Sequence, residues 1–313
     1  MSGDLQHRRW TSQGTILRPY SPAGLHWDTS FSTPTGIVVS TADLVFSACH
    51  FCESSGEGDY YSEFDEPLVE ELRLIAALIL PIGYACGVLP FYPLLSSIRL
   101  EEYVSLEDKM SIDRISVVLR SEFQPDLDTP WSDGPVPPAF GGKAYQFREG
   151  PIPAGIALRI YNAIDPKDFV LMRGLGAFIR AGMLSRHHHL FESAHHALFV
   201  ALEASFQLVL RKLRSEGISN PSSAHAAELV HRTFGGEGPT AGYFSDYYED
   251  RIQLFHPSSR FGEAPYAPLM HSHFYGLYYD LRDVFRWLIL GERLDLQPDR
   301  SDRHKQRMAA TAG

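Results

Sequence analysis

The strongest pattern along the chain is a helical repeat of apolar positions in its second half. Apolar side chains three and four residues apart share one face of a helix. Five helices follow from that rule. The first runs from about Asp165 to Leu184. The second covers about His188 to Glu216, with Ala194, Leu198, Leu202, Ser205, Val209 and Leu213 along one side and Gly217 as its stop. Asn220-Pro221-Ser222 opens a third, which passes through Ala226, Leu229 and Val230 to Phe234 and is closed by Gly235-Gly236. The fourth covers about Gly242 to Phe255, and the fifth about Ser272 to Leu290 with Gly291 after it. Long helices with short links predict a helical bundle over residues 160–293.

The first half patterns differently. Gly36-Ile37-Val38-Val39 is strand-like, and Ile112 to Leu119 ends in β-branched residues that also suit a strand. Leu74 to Ile98 carries no charge, but Pro81, Pro90, Pro93, Gly83 and Gly87 interrupt it. A membrane span wants ~20 continuous apolar residues. The expectation is therefore a core helix to about Leu80 followed by extended buried chain, and no membrane partner. Gln124 to Gly155 is rich in Pro, Gly and Asp and marks a boundary. The predicted fold class is α+β. A mixed α/β region over residues 1–150 precedes the all-α bundle, and residues 294–313 form a tail.

Composition sharpens this picture. With 313 residues, 44% of them hydrophobic and 21% charged, the chain can build one large or two modest cores. Disordered and collagen-like classes are excluded. Three cysteines and a polar opening stretch lead to the expectation of a cytoplasmic protein without a disulfide framework. The net charge of −10 is uneven: residues 1–150 hold 21 acids against 10 bases, and the remainder is close to neutral at +1. The first half would repel a polyanion. Ten of the 14 histidines lie between His187 and His273, so the halves are expected to do different work.

The fourth predicted helix carries the sharpest chemical signal. At about 100° per residue, Phe244, Tyr247, Tyr248, Ile252, Leu254 and Phe255 gather on one arc. Asp246, Glu249, Asp250 and Gln253 fall opposite, yet Arg251 falls near the middle of the apolar arc. A cation there is costly unless it is paired or the face is an interface. His256 follows five residues later, and Pro257 disfavours helical geometry at it. An imidazole can move protons near neutral pH, and a guanidinium can hold a phosphate or its transition-state charge. Together they suit phosphodiester cleavage.

The segment Tyr247-Tyr248-Glu249-Asp250-Arg251-Ile252-Gln253-Leu254-Phe255-His256-Pro257 resembles the Arg-x(4–6)-His motif of the HEPN superfamily, over about residues 165–292. That resemblance implies a small helical bundle and metal-independent ribonuclease chemistry, in a toxin or phage-defence setting. Arg251 and His256 would be the catalytic pair, with Asp250 orienting either one. It also implies RNA as partner and a homodimer whose two motifs share a cleft. Arg260, Arg282 and Arg286 are further cations that could track RNA, although a solvated helix face is the default for them. No DNA partner, cofactor or metal is expected. Residues 1–150 would sense a ligand or restrain the nuclease. The alternative is a non-catalytic interaction or scaffold module of the same fold, which Ile252, placed where active members carry a polar residue, and the acidic first half both favour.

Other clusters read as structural. Cys49-His50-Phe51-Cys52 has a Cys-x-x-Cys core but lacks the second pair a structural zinc needs. His187-His188-His189 with His195 and His196 could hold a metal, but no Glu-x-x-His pattern accompanies them, and a helix entry explains them more simply. The same turn accounts for Arg180 and His187. The acids from Glu53 to Glu71 read as a solvated loop running into a helix start. Arg211, Lys212 and Arg214 suit the negative end of a helix dipole. Neither a phosphate-binding Gly-rich loop with Lys-Ser/Thr nor a Gly-x-Ser-x-Gly elbow occurs.

Overall fold

A computed structural model describes residues 11–21, 30–41, 44–54, 69–81, 92–128, 154–185, 187–235, 242–245, 247 and 271–294. Six strands form one antiparallel sheet: β1 (Thr11–Ser21), β2 (Phe31–Ser32), β3 (Gly36–Ser40), β4 (Val45–Ser54), β5 (Tyr92–Pro93) and β6 (Ile98–Leu100). The order is β2-β3-β4-β1-β5, with β6 also paired to β1. The β1–β4 ladder is the longest and sets Ile16 opposite Cys49, Leu17 opposite Ala48 and Arg18 opposite Ser47. Gly14 is required there, because a Cβ at that position would lie 1.9 Å from the carbonyl oxygen of Leu100.

Both faces of the sheet are covered, since successive strand residues point to opposite sides. On one side Leu17, Ile37, Phe46 and Ala48 pack under Ile115, Leu119 and Phe123 of α2 (Lys109–Asp128). On the other, Ile16, Tyr20, Val45 and Cys49 pack against α1 (Val69–Ile79). The strand expected at Ile112–Leu119 is thus a helix. Its β-branched residues suggested a strand, but the buried residues recur every four positions, while Asp113, Val117 and Val118 face outward. Tertiary burial of that stripe outweighs local strand propensity.

The described elements after residue 154 are all helical: α3 (Ala154–Ala163), α4 (Phe169–Ser185), α5 (Phe191–Ser215, entered through a single 3-10 turn), α6 (Ser223–Phe234) and α7 (His271–Leu290). Their ends follow from sequence chemistry. The Ser222 side chain accepts the backbone N–H of His225, and the His225 ring closes the reciprocal bond. Gly217, Gly235 and Gly291 have φ of 97°, 62° and 73° at the three stops. α4 and α5 approach closely at Gly174, where a Cβ would fall 2.8 Å from Cβ of Ala204. α7 packs on α3, α4 and α5.

The core does not divide at the expected boundary. One continuous cluster joins Ile16, Tyr20 and Val45 of the sheet through Leu74, Ile75 and Leu78 of α1 to Phe178, Leu198 and Phe285 of the helices. Of the boundary expected at Gln124 to Gly155, residues 124–128 continue α2 and 154–155 open α3, while 129–153 lie outside the described residues, as do 295–313 of the expected tail. α1 is the hinge of this packing. Its Glu71, expected in a solvated stretch, is instead 1% exposed and pairs with the equally buried Arg18 of β1. Arg18 also donates to the carbonyls of Leu94 and Leu95, each at 2.8 Å. Among the described residues, no helix is long and apolar enough to cross a membrane.

Candidate functional site

The motif residues Asp250, Arg251 and His256, and with them Ile252 and Arg260, lie outside the described residues. Its approach is described. Residues 243–245 are helical, as predicted, and Tyr247 is also helical. Two tyrosines fasten this turn to the bundle. Tyr243 is 1% exposed, with its hydroxyl 3.4 Å from that of Ser205 on α5. Tyr247 donates to Asp280 of α7 at 3.3 Å. Gly276 makes room for it, since a Cβ there would lie 3.3 Å from the Tyr247 hydroxyl. Phe244 adds an edge-on contact with Phe206, at 4.8 Å between centroids. Tyr247 precedes Arg251 by four residues in the sequence.

Beside Tyr247, α7 carries a row of charges. Phe274, Leu277, Tyr278, Leu281, Val284, Phe285 and Trp287 are buried, so the helix is covered on most sides and its polar residues are enclosed with it. Asp280 feels that enclosure most. Burial, and then the like charge of Asp283, push its carboxyl up to about 7, against the opposing pull of the Tyr247 hydrogen bond and Arg282. A carboxyl in that range exchanges its proton near neutral pH.

Arg282 and Arg286 are placed differently from the solvated helix face expected for them: they are 3% and 6% exposed. Arg286 donates to Asp283 at 2.9 Å and to the carbonyl of Leu80, at the end of α1, at 3.0 Å. Burial lowers its pKa, with Asp283 opposing. Arg282 donates to Asp283 at 3.4 Å and lies over the Tyr279 ring, 5.1 Å from its centroid. Arg286 thus ties α7 to the end of α1, while Arg282 is held within α7 by Asp283 and Tyr279. The two arginines are not surface cations along which a nucleic-acid backbone could run.

The clusters set aside on sequence are placed as follows. Cys49 is buried, and burial pushes its thiol up to about 12, far from a reactive thiolate. His195 is 3% exposed, with Nδ1 3.0 Å from the Phe191 carbonyl and its ring edge-on to Phe191 and Phe274. Among the described residues, no group of three or more His, Cys, Asp or Glu side chains is arranged to hold a metal. Arg211 pairs with Asp168 at 2.6 Å and Lys212 with Glu216 at 3.2 Å.

Sequence reasoning missed Asp280 and the anchoring role of Tyr243 and Tyr247. A signal was available for the first: Asp280, Arg282, Asp283 and Arg286 sit within a helix whose remaining positions in that stretch are mostly apolar. In comparisons with known proteins, no family model, no curated protein and no solved structure matches the chain.

Proposed function

We propose that the helical half of this chain is a metal-independent endoribonuclease. The observation that carries the reading is Arg251 in the middle of an apolar arc, five residues before a histidine at a proline stop. The RNA 2′-hydroxyl attacks the adjacent phosphate, its proton leaves to a base, and the 5′-oxygen departs with a proton from an acid. His256 serves as one of these two groups. Arg251 offsets the charge that builds on the phosphorane oxygens, and Asp250 orients either residue. The anchored turn at Tyr243 and Tyr247 supports the reading, because catalysis needs its groups held from a rigid base.

In this reading Arg260 is the cation left to contact RNA, and the enclosed Arg282 and Arg286 act only through the stability of α7. Two copies pair so that their motifs share a cleft. The acidic first half, joined to the bundle through one core, responds to a ligand or partner and restrains cleavage.

The second reading is a non-catalytic interaction module, favoured by Ile252 directly after the arginine. Incubating the full chain with total RNA in EDTA separates the two. Cleavage that disappears in both Arg251→Ala and His256→Ala supports the nuclease. No cleavage, with both variants losing stability or self-association, supports the module. Cleavage abolished by EDTA refutes the metal-independent mechanism.

A further inference from the structure

One partly buried carboxyl on α7 faces the turn that precedes the motif in sequence. Asp280 accepts the Tyr247 hydroxyl at 3.3 Å. The turn has its own base, since Tyr243 is buried with its hydroxyl 3.4 Å from that of Ser205, and its ring meets the Tyr247 ring edge-on at 6.1 Å. Gly276, one turn before Asp280, leaves the space that the Tyr247 hydroxyl fills. Among the described residues, Asp283 and Arg282 act on Asp280 from α7 itself and Tyr247 from the turn, with Tyr243 behind it. α5 brings His195 to Phe274 and Lys212 to Trp287, six positions before Asp280 and seven after it. α4 presents Phe178 to Tyr278 and leaves Arg173 and Arg180 exposed. Arg286, which meets the end of α1, and Glu292, which meets Arg159 of α3, come later in the chain.

We infer that the charge on Asp280 sets how firmly the Tyr247 turn is held to α7, which makes Asp280 a positioning residue for the motif that follows in sequence. The hold depends on its acceptor. A hydroxyl bonded to an ionised carboxylate is held roughly twice as strongly as one bonded to a neutral carboxyl. Seen from the other partner, the same bond favours the ionised form of Asp280. The hold therefore has two strengths. With the carboxyl ionised, above a pH of about 7, Tyr247 has a charged acceptor and the turn is fixed. As pH falls through about 7 the carboxyl takes up a proton, the acceptor becomes neutral, and at 3.3 Å the remaining bond is weak. The ring contacts of Tyr243 and Phe244 persist in both forms, so the change is local to the turn.

The inference deepens the nuclease reading and rests on it for its bearing on cleavage, but the hold itself is measured without RNA. The experiment is hydrogen exchange of the backbone amides of residues 243–247 in the full chain, with Asp280→Asn as a side chain that never ionises. Asp280→Asn speeds this exchange about tenfold at pH 8 and leaves it unchanged at pH 5.5, where the wild-type carboxyl is itself neutral. Tyr247→Phe, which removes the donor, speeds it at pH 8 and by less at pH 5.5. A packing defect would not give this pattern, because Asp280→Asn also removes an enclosed charge and so melts higher at pH 8 while its turn loosens. In cleavage, Asp280→Asn lowers kcat at pH 8 with KM unchanged and matches wild type at pH 5.5; the titration of His256 is common to both chains and cancels in the ratio. Exchange that Asp280→Asn leaves unchanged at pH 8, or alters equally at both pH values, overturns the inference. So does a wild-type kcat in Asp280→Asn at pH 8. The expected exchange pattern in a chain that cleaves no RNA supports the hold and defeats the nuclease reading alone.

Discussion

Replacing Glu71 with Leu removes the carboxylate that pairs with Arg18 among the described residues, while leaving its guanidinium in the core. Both side chains are 1% exposed. An uncompensated buried charge costs about 3–5 kcal/mol, a large share of a typical total of about 5–15 kcal/mol. Two of the remaining donor contacts, to the carbonyls of Leu94 and Leu95, survive that change. Arg18→Met strands the carboxylate instead, and also deprives those two carbonyls of their donor, at about 1–3 kcal/mol each. Its cost therefore exceeds that of Glu71→Leu. The double variant Arg18→Met/Glu71→Leu buries no charge and keeps only the carbonyl penalty, partly offset by apolar packing. Its cost should fall below the sum of the singles by at least about 2 kcal/mol. Urea unfolding of the four chains, followed by circular dichroism, gives the cycle. Additivity within about 0.5 kcal/mol would refute the reasoning, as would a Glu71→Leu cost under about 1 kcal/mol.

Two further predictions rest on the helical half. Asp280 has a folded-state pKa raised to about 7, so the folded chain binds a proton more tightly than the unfolded chain. Stability on its account is full below the ordinary carboxyl range and is lost as pH rises through about 7; Asp280→Asn should therefore unfold later than wild type at pH 8, by up to about 4 kcal/mol less the altered Tyr247 bond, with the advantage gone near pH 4. Equal differences at both pH values in thermal melts would contradict this. Gly174→Ala places a methyl 2.8 Å from Cβ of Ala204 and 2.9 Å from the Phe285 ring, so it should cost about 1–3 kcal/mol despite its better helix propensity, and adding Ala204→Gly should restore part of the loss. A Gly174→Ala chain as stable as wild type in denaturant would show that the two helices are not in close contact.

The helices were legible because their signals are local. Ser222 and Gly235 bracket α6 through bonds made within a few residues, and Gly217 and Gly291 stop α5 and α7 by the same chemistry. β1 was not legible, because its meaning is set elsewhere. Arg18 breaks the apolar alternation and is tolerated because Glu71, 53 residues away, and the carbonyls of Leu94 and Leu95 meet it. Residues 112–119 misled for the opposite reason: the β-branched run is conspicuous, while the stripe of Ile115, Leu119 and Phe123 that decides the helix is sparse. At the site, Arg251 stood out on a helical wheel without any structure. The carboxyl of Asp280 did not, since its proton affinity is raised by burial and by the like charge of Asp283, and the burial comes from packing with distant parts of the chain. Arg282 and Arg286 were misplaced on the surface because a buried arginine and a solvated one look alike in sequence. Only the packing of α7 on most of its sides separates them.

The proposed 2′-hydroxyl attack depends on Arg251 and His256 and on no metal. Its most direct measurement uses a fluorogenic RNA oligonucleotide and the same oligonucleotide with 2′-deoxy sugars, each incubated with the full chain in EDTA. Only the RNA should be cleaved, and His256→Ala should slow that cleavage about 10²–10⁴-fold at unchanged fold. Cutting of the deoxy substrate at a comparable rate, or RNA cleavage that His256→Ala leaves intact, would contradict it.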